Sequence, residues 1–418
     1  MTSSARKWWQ SAAAGACARG VVCSLGLIFA SGCSDEKPID RDAVTVGLLL
    51  PFTGTDSATA SNFERAVLFA RDQVNEGGGV GGRKLRVVSA DTHSDPERAE
   101  ASAQHLIDEG AVLIIGPEST EVADHIRPLI NEHDVVLLSP LVGAADDRQI
   151  ACEDPWFRLA PSARILGEAL AKRMIADGHM RAAILSSEGA YDVALANAFQ
   201  SLLGSLGGEV AYRGTLQRGA QSYTANIKAA LAEQVDAVLL SATPRSAALV
   251  VNELGVLTHD RPQWYLSPLL KTELLLQNVV PQVLEGAIGV TPRIYDLSEA
   301  FPLAFNERWA GDAPLEGAYF YYDAVALTAL ALEQTLRDHG ELGADGLRAI
   351  ILDVSASPGE GAGWNELPLY LQRLREGAPV YYTGLTGPMK IRPCGDRQVG
   401  ASSPWEVTGG EIVLLGEN

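Results

Sequence analysis

The sequence AVLIIGPESTEVADHIRPLINEHDVVLLSPLVGAADD, residues 111–147, decides the fold of this chain. Its first apolar run, Val112 to Ile115, is typical of a strand buried on both faces of a parallel sheet. Gly116-Pro117 ends that run, and Ser119-Thr120 then begins a helix with one apolar face. A second apolar run, Val135 to Leu138, predicts the next strand. The turns after the two strands should therefore lie side by side at the carboxyl edge of one sheet, where open α/β folds bind ligands.

The same alternation of strand and helix patterns extends in both directions from this stretch. One series starts at Val44 and a second starts near Trp156, each with apolar strands separated by amphipathic helices. Alternating units of this length predict an α/β fold in which parallel sheets carry helices on both faces. A chain of 418 residues is long enough for two such domains.

The first 32 residues have the pattern of a secretory signal peptide. Their apolar run, residues 21–30, is about half as long as a membrane-spanning helix. The run ends in Ala30-Ser31-Gly32-Cys33, which resembles the lipobox of bacterial lipoproteins. We therefore expect Cys33 to be lipidated and residues 33–42 to form a tether. The alternative is a soluble secreted protein with an incidental cysteine.

The charge of the chain argues against two classes of partner. The formal net charge is −19, and removal of a signal peptide that contains Arg6, Lys7 and Arg19 takes it to −22. A surface this acidic repels nucleic acid and anionic lipid headgroups. We therefore expect no nucleic-acid partner, and membrane contact only through the N-terminal lipid.

The cysteines agree with an oxidising compartment. Cys17 and Cys23 precede the predicted cleavage site, and beyond Cys33 only Cys152 and Cys394 remain. An isolated pair in an exported domain is a candidate for a disulfide bond. The alternative is a pair of buried free thiols.

Short motifs along the chain keep a recognisable order. They are PFTG (51–54), NEGGGVGGRKLRVVSAD (75–91), SDPERA (94–99), GPEST (116–120), LLSP (137–140), FRLAPS (157–162), AYDVALANAFQ (190–200) and YYDAVAL (321–327). The set resembles the leucine/isoleucine/valine-binding proteins, which are substrate-binding components of branched-chain amino acid ABC transporters. No single motif is specific, but the order holds from about Val44 to the C-terminus.

The resemblance implies a type I periplasmic binding protein with two Rossmann-like lobes, a three-crossing hinge and a ligand cleft between the lobes. Lobe 1 would take residues 43–159 and 292–382, and lobe 2 residues 160–291 and 383–418. The resemblance also implies a cell-envelope protein that faces the periplasm and delivers an amino acid or a related carboxylate or amide to an ABC permease. It implies no enzymatic activity and no cofactor.

The turn that ends in Ser119 and Thr120 is the first candidate binding element. Amides at the start of a helix have no intrahelical partner, and the helix dipole favours an anion beside them. In the family, a hydroxyl at the position of Thr120 holds the ligand carboxylate together with such amides. The alternative is that Ser119 or Thr120 only caps the helix.

The other candidate positions depart from the family pattern. Gly143 replaces a ligand-binding threonine, so the carbonyl of Val142 and the amide of Gly143 remain for a ligand but the hydroxyl is absent. In lobe 2, Tyr191 matches a family tyrosine. The acid that binds the ligand ammonium has only a displaced candidate, Glu273. A family aromatic falls at Thr59, so we expect no stacking face there.

Signals for other functions are weak. The G-x-G-x-x-G within residues 77–82 follows a predicted helix and precedes a strand, the reverse of the dinucleotide-binding context. The seven histidines show no metal-ligand spacing, so we expect no metal site. No serine or cysteine stands in a nucleophile motif, which disfavours a hydrolase. A sensory lipoprotein that moves no solute remains the alternative, because it would use the same closing cleft.

Overall fold

The structure, a computed structural model, describes residues 42–143, 156–259, 261–356, 360–398 and 400–415. The predicted signal peptide, the lipidation site Cys33, nearly all of the tether and Cys152 lie outside these residues. Cys394 is in a disulfide bond. Because the other predicted half-cystine is not among the described residues, the pairing of Cys152 with Cys394 stays a prediction.

The N-terminal part of the chain forms a five-stranded parallel sheet with helices on both faces. Its elements are β1 (Ala43–Leu50), α1 (Ala60–Glu76), β2 (Lys84–Asp91), α2 (Pro96–Asp108), β3 (Ala111–Ile115), α3 (Thr120–Glu132), β4 (Val136–Ser139) and β5 (Trp156–Arg158). The strand order is β2-β1-β3-β4-β5. β3 and β4 pair in parallel, with Ile115 opposite Leu138. The predicted turns after these strands therefore lie at the same edge of the sheet.

The middle of the chain repeats this build around a second sheet. Its elements are α4 (Ala163–Ala176), β6 (Arg181–Ser187), α5 (Ala190–Ser205), β7 (Glu209–Leu216), α6 (Thr224–Ala232), β8 (Ala237–Ser241), α7 (Pro244–Leu257), β9 (Gln263–Leu266), α8 (Glu273–Leu276), α9 (Pro281–Leu284) and β10 (Ile288–Pro292). Strands β7, β6, β8, β9 and β10 pair in parallel in that order. The predicted α/β class with two lobes is confirmed.

The remaining elements include a separate three-stranded sheet, formed by residues between 360 and 388, and two strands that join the second sheet. They are α10 (Ala300–Arg308), α11 (Glu316–His339), α12 (Ala344–Val354), β11 (Glu360–Ala362), α13 (Leu367–Arg375), β12 (Val380–Gly384), β13 (Gly387–Pro388), β14 (Ser402–Thr408) and β15 (Glu411–Leu414). β14 and β15 add an antiparallel pair to the β10 edge of the second sheet. Gly409 and Gly410, with φ of 63° and 80°, make the two-residue turn between them.

Helix α11 is the centre of the first hydrophobic core. Its residues are buried on nearly all sides from Ala318 to Thr335, because the helix lies between α1 and the α12–α13 layer. Phe63 of α1 stacks on Tyr321 with ring centroids 5.0 Å apart. Within the described ranges, no helix has both the length and the apolar character of a membrane span.

The chain passes between the lobes beside β5. The backbone amide of Arg158 donates to the carbonyl of Gly395, and the buried guanidinium of Arg397 donates to the carbonyl of Leu159. Leu385, Met389 and Ile391 pack in the core of the first sheet. They lie beyond residue 382, where the resemblance ends lobe 1, because their apolar side chains bury against that core. The lobe boundaries as a whole remain a prediction.

Candidate ligand-binding cleft

A cavity of about 890 Å³ lies between the two lobes. Its walls come from the turns after β3 and β4 on one side and from the start of α5 on the other. The five residues predicted to bind a ligand all line it: Ser119, Thr120, Val142, Gly143 and Tyr191. The tertiary structure therefore brings these residues together, and their contact with a ligand remains a prediction.

The start of α3 contains both a capping residue and a candidate binding residue. Ser119 has extended backbone angles, and its hydroxyl accepts a hydrogen bond from the amide of Val122 at 3.4 Å. This is the helix-capping role that the sequence left as an alternative for Ser119. Thr120 is the first helical residue and lines the cavity with its side chain only partly buried. Its hydroxyl is the better placed of the two for a ligand.

Gly143 fits closely against the opposite lobe. A Cβ at this position would lie 2.9 Å from Cε2 of Tyr191 and 3.1 Å from the carbonyl oxygen of Pro161. The threonine found in related proteins could not be accommodated unless these neighbours moved. The loss of the hydroxyl, noted from the sequence, thus accompanies a close approach of Tyr191 to the turn after β4.

Tyr191 is held at the start of α5 beside a buried carboxylate. Asp192 accepts hydrogen bonds from the hydroxyls of Ser187 and Ser241. Burial, with the charge of Asp192, raises the pKa of Tyr191 above its ordinary value of 10.0. The phenol is therefore protonated at neutral pH and can donate a hydrogen bond into the cavity.

Glu118 is a cavity residue that the sequence reasoning did not single out. Its Oε1 atom is buried and has no hydrogen-bond partner within the described residues. Burial, with a smaller effect of the charge of Asp56, raises the pKa of Glu118 to about 8. The only sequence signal was its place in GPEST, next to the candidate anion-binding residues. Local sequence could not reveal that its carboxyl group is desolvated.

Aromatic side chains form an apolar part of the cavity wall. Phe63 of α1 and Phe320 of α11 both line the cavity and are almost fully buried. The expectation from Thr59, that a stacking face is missing, is therefore incomplete. Aromatic surface is supplied from other positions, separated by 257 residues in the sequence.

An ion pair and a hydrogen bond join the two lobes at the cavity. Lys271, which follows β9, pairs with Glu316 at the start of α11, and Glu316 also accepts a hydrogen bond from the hydroxyl of Thr291 at 3.0 Å. Glu273, the displaced candidate for an ammonium-binding acid, is exposed and is not part of the cavity wall. Glu273 is the first residue of the short helix α8.

The sequence model of the periplasmic binding protein family matches residues 43–407. The chain belongs to this family. The resemblance to leucine/isoleucine/valine-binding proteins inferred from the sequence is confirmed. Membership in this family implies an extracytoplasmic location. The family is one of solute-binding proteins rather than enzymes.

Two curated relatives and one solved structure illustrate the family. The Leu/Ile/Val-binding protein BraC3 of Rhizobium johnstonii is 24% identical over 52% of this chain and 59% of its own length. The chemotactic signal transduction system substrate-binding protein BasB of Halobacterium salinarum is 32% identical over 50% of this chain and 52% of its own length. The matched part thus spans little more than half of each relative.

The solved structure covers more of the fold. The branched-chain amino acid transporter substrate-binding protein LivJ of Streptococcus pneumoniae, in complex with isoleucine, superposes with a TM-score of 0.70 at 16% identity. The superposition covers 89% of this chain and 100% of LivJ. At this identity the likeness supports the two-lobed fold alone.

Proposed function

We propose that this protein is an extracytoplasmic solute-binding protein that captures a small polar ligand and delivers it to an ABC permease. The observation that carries the proposal is the convergence of Ser119, Thr120, Val142, Gly143 and Tyr191, from both lobes, on one cavity. Such a cavity can exclude water and orient a ligand with a few polar groups. The ligand class is an amino acid or a related carboxylate or amide.

The proposed binding mode uses contacts from both lobes. Thr120 and the amides at the start of α3 hold a ligand from lobe 1, with the backbone of Val142 and Gly143 beside them. Tyr191 donates from lobe 2. A ligand that contacts both lobes stabilises the closed arrangement by its differential affinity for it. No cofactor, metal ion or catalytic step enters this proposal.

The proposed cellular setting follows from the N-terminal sequence. Residues 1–32 act as a lipoprotein signal peptide, Cys33 carries lipid, and residues 33–42 tether the lobes to a membrane of the cell envelope. Palmitate labelling of the wild-type protein tests this part, with Cys33→Ala as the unlabelled control. Equal labelling of both proteins would contradict lipidation at Cys33.

A sensory role is the second candidate. One relative of this chain, BasB, is named as the substrate-binding protein of a chemotactic signal transduction system. A ligand-binding lipoprotein that reports to a receptor would need the same cavity. Deletion of the gene separates the two roles: loss of ligand uptake supports transport, and loss of a ligand-dependent response with normal uptake supports sensing.

A thermal-shift screen tests ligand binding itself. The purified protein is screened against amino acids, small carboxylates, amides and short peptides, and a ligand that binds only the folded state raises Tm. The expected result is a concentration-dependent rise with at least one ligand of these classes. A flat response across the panel would contradict the proposed function, as would turnover of the bound compound.

A further inference from the structure

The walls of the cavity are strongly acidic. Among the described residues that line it, seven are acidic and one, Arg218, is cationic; the acids are Asp56, Glu118, Glu121, Asp124, Glu188, Asp192 and Glu316. The whole chain has 52 acidic and 33 basic residues, so the excess in the cavity is far larger than composition predicts. A cleft lined by one sign of charge focuses the potential and favours ligands of the opposite sign.

Some of these carboxylates are already matched by protein groups. Asp192 accepts from two serine hydroxyls, and Glu316 is paired with Lys271 and Thr291. Arg218 lies 3.8 Å from Glu121, and both side chains are well exposed. Asp192 and Glu316 are therefore already matched by protein groups, and the exposed Arg218–Glu121 pair does not balance the remaining acids of the interior.

Glu118 has no such match within the described residues. Its buried Oε1 lacks a hydrogen-bond partner, and the groups that act on it are acidic or neutral: Asp56 from the loop after β1 and the phenol of Tyr321 from α11. Tyr321 is itself fully buried with its hydroxyl unpartnered. Burial destabilises the ionised form of such a carboxyl group until a cation or a hydrogen-bond donor lies beside it.

The chemistry of the cleft favours an organic cation. No cluster of three or more metal-ligating side chains in the described part of the chain is placed to hold a metal ion. Phe63, Phe320 and Tyr191 also line the cavity, and aromatic faces attract ammonium and guanidinium groups.

We propose that the ligand of this cleft carries a net positive charge on nitrogen, and that Glu118 is the carboxylate that binds the cationic group. The ligand class is that of basic amino acids, within the amino-acid class proposed above and in place of branched-chain amino acids. This inference rests on the proposed solute-binding function. It assigns the cation site to lobe 1, at the turn after β3, and not to Glu273 of lobe 2.

Titration calorimetry with matched ligands tests the inference. Lysine and norleucine differ by one terminal ammonium group, and cadaverine, arginine and choline extend the cationic set; isoleucine and benzoate complete the neutral and anionic sets. At least one cation should bind the wild-type protein more than about tenfold more tightly than norleucine. Glu118→Gln should lower the affinity for that ligand by roughly thirtyfold or more, which is the scale of a lost hydrogen bond to a charged group.

Two controls keep the result specific. Glu132→Gln makes the same change at an exposed position on α3 outside the cavity and should leave the affinity unchanged. Binding of the cation to wild type at pH 7 should also release protons, because Glu118 must ionise, and the release should disappear in Glu118→Gln. Calorimetry in buffers of different ionisation enthalpy measures this release directly.

The possible outcomes separate the inference from the proposed function. Tight binding of norleucine, isoleucine or benzoate that Glu118→Gln leaves unchanged, with the cations silent, overturns the inference while the solute-binding function stands. A cation whose affinity is equal in wild type and Glu118→Gln removes Glu118 from the site and also overturns it. Silence of every ligand contradicts the solute-binding function and the inference with it.

Discussion

At the scale of single residues, the binding properties of the cleft depend on side chains whose pKa or hydrogen bonding is set by their neighbours. Glu118 is an ordinary carboxylate in the sequence, yet burial raises its pKa to about 8. Ser119 and Thr120 both line the cavity, but the hydroxyl of Ser119 is used to cap α3. Adjacent residues of similar polarity thus have different roles because the helix begins between them.

The shifted pKa of Glu118 predicts a pH-dependent stability of the ligand-free protein. The folded state keeps this proton up to about pH 8, whereas the unfolded state releases it near 4.5. Because the folded state binds more protons in that window, the free energy of unfolding should fall as pH rises from about 5 to 8. Urea denaturation at several pH values should show that Glu118→Gln reduces this fall. An unchanged pH dependence would contradict the desolvation of Glu118, and Glu132→Gln should match wild type.

Thr120 offers a second prediction at this scale. Thr120→Ala should weaken ligand binding by roughly ten- to a hundredfold, because a hydrogen bond to a charged ligand group is lost. Thr120→Ser keeps the hydroxyl and should stay within a fewfold of wild type. Isothermal titration calorimetry with a ligand identified by the thermal-shift screen measures both. Equal affinity of wild type and Thr120→Ala would exclude Thr120 from the proposed site.

At the scale of secondary-structure elements, the site depends on where helices and turns meet. The turn after β4 approaches the start of α5 so closely that a side chain at Gly143 would crowd the ring of Tyr191. Phe63 of α1 and Phe320 of α11 also line the cavity. None of these contacts is local in sequence, so each depends on the packing of complete elements.

Gly143→Ala should weaken ligand binding by roughly five- to a hundredfold. The added Cβ lies 2.9 Å from the Tyr191 ring, and crowding of a packed contact costs about 1–3 kcal/mol. The cost should fall on the arrangement in which both lobes surround the ligand. Gly204→Ala is the matched control, because a Cβ there meets no atom within 4 Å. Equal affinities for the two variants would show that Tyr191 yields easily.

At the scale of the whole molecule, two similar sheets hold one cavity between them. The first sheet contributes α3 and the start of α11, and the second contributes α5 and the segment after β9. The pair formed by Lys271 and Glu316 joins the lobes, and the ammonium side chain is only 13% exposed. The carboxylate is 43% exposed, so water screens the pair and its contribution is modest.

Lys271→Met should weaken ligand binding only fewfold, because the ion pair favours the arrangement with the lobes together but is partly screened. The difference in affinity between the wild-type protein and Lys271→Met should become smaller in high salt, because salt screens the ion pair of the wild-type protein. Lys172→Met, at an exposed position on α4, is the matched control. Calorimetry at low and high salt measures the difference. A loss greater than a hundredfold would indicate that Lys271 contacts the ligand itself.

The sequence alone determined the fold class and the place of the cleft. Apolar runs such as residues 112–115 and 135–138, with the turn residues that end them, encode strands and helices within a few positions, and parallel strands bring their carboxyl ends to one edge. The resemblance places residues 383–418, which include β14 and β15, in the second lobe, but the apolar pattern alone does not show that these strands pair antiparallel at the β10 edge.

Only the tertiary structure decided the character of the cleft. Three features depend on residues that lie far apart in the chain. They are the burial of Glu118, the contact of Gly143 with Tyr191, and the ion pair of Lys271 with Glu316. Desolvation and charge balance depend on every group around a side chain, and the two lobes supply those groups from separate segments. The sequence could therefore indicate a binding site at the turn after β3, while the proposed preference for a cationic ligand rests on groups that only the folded cavity brings together.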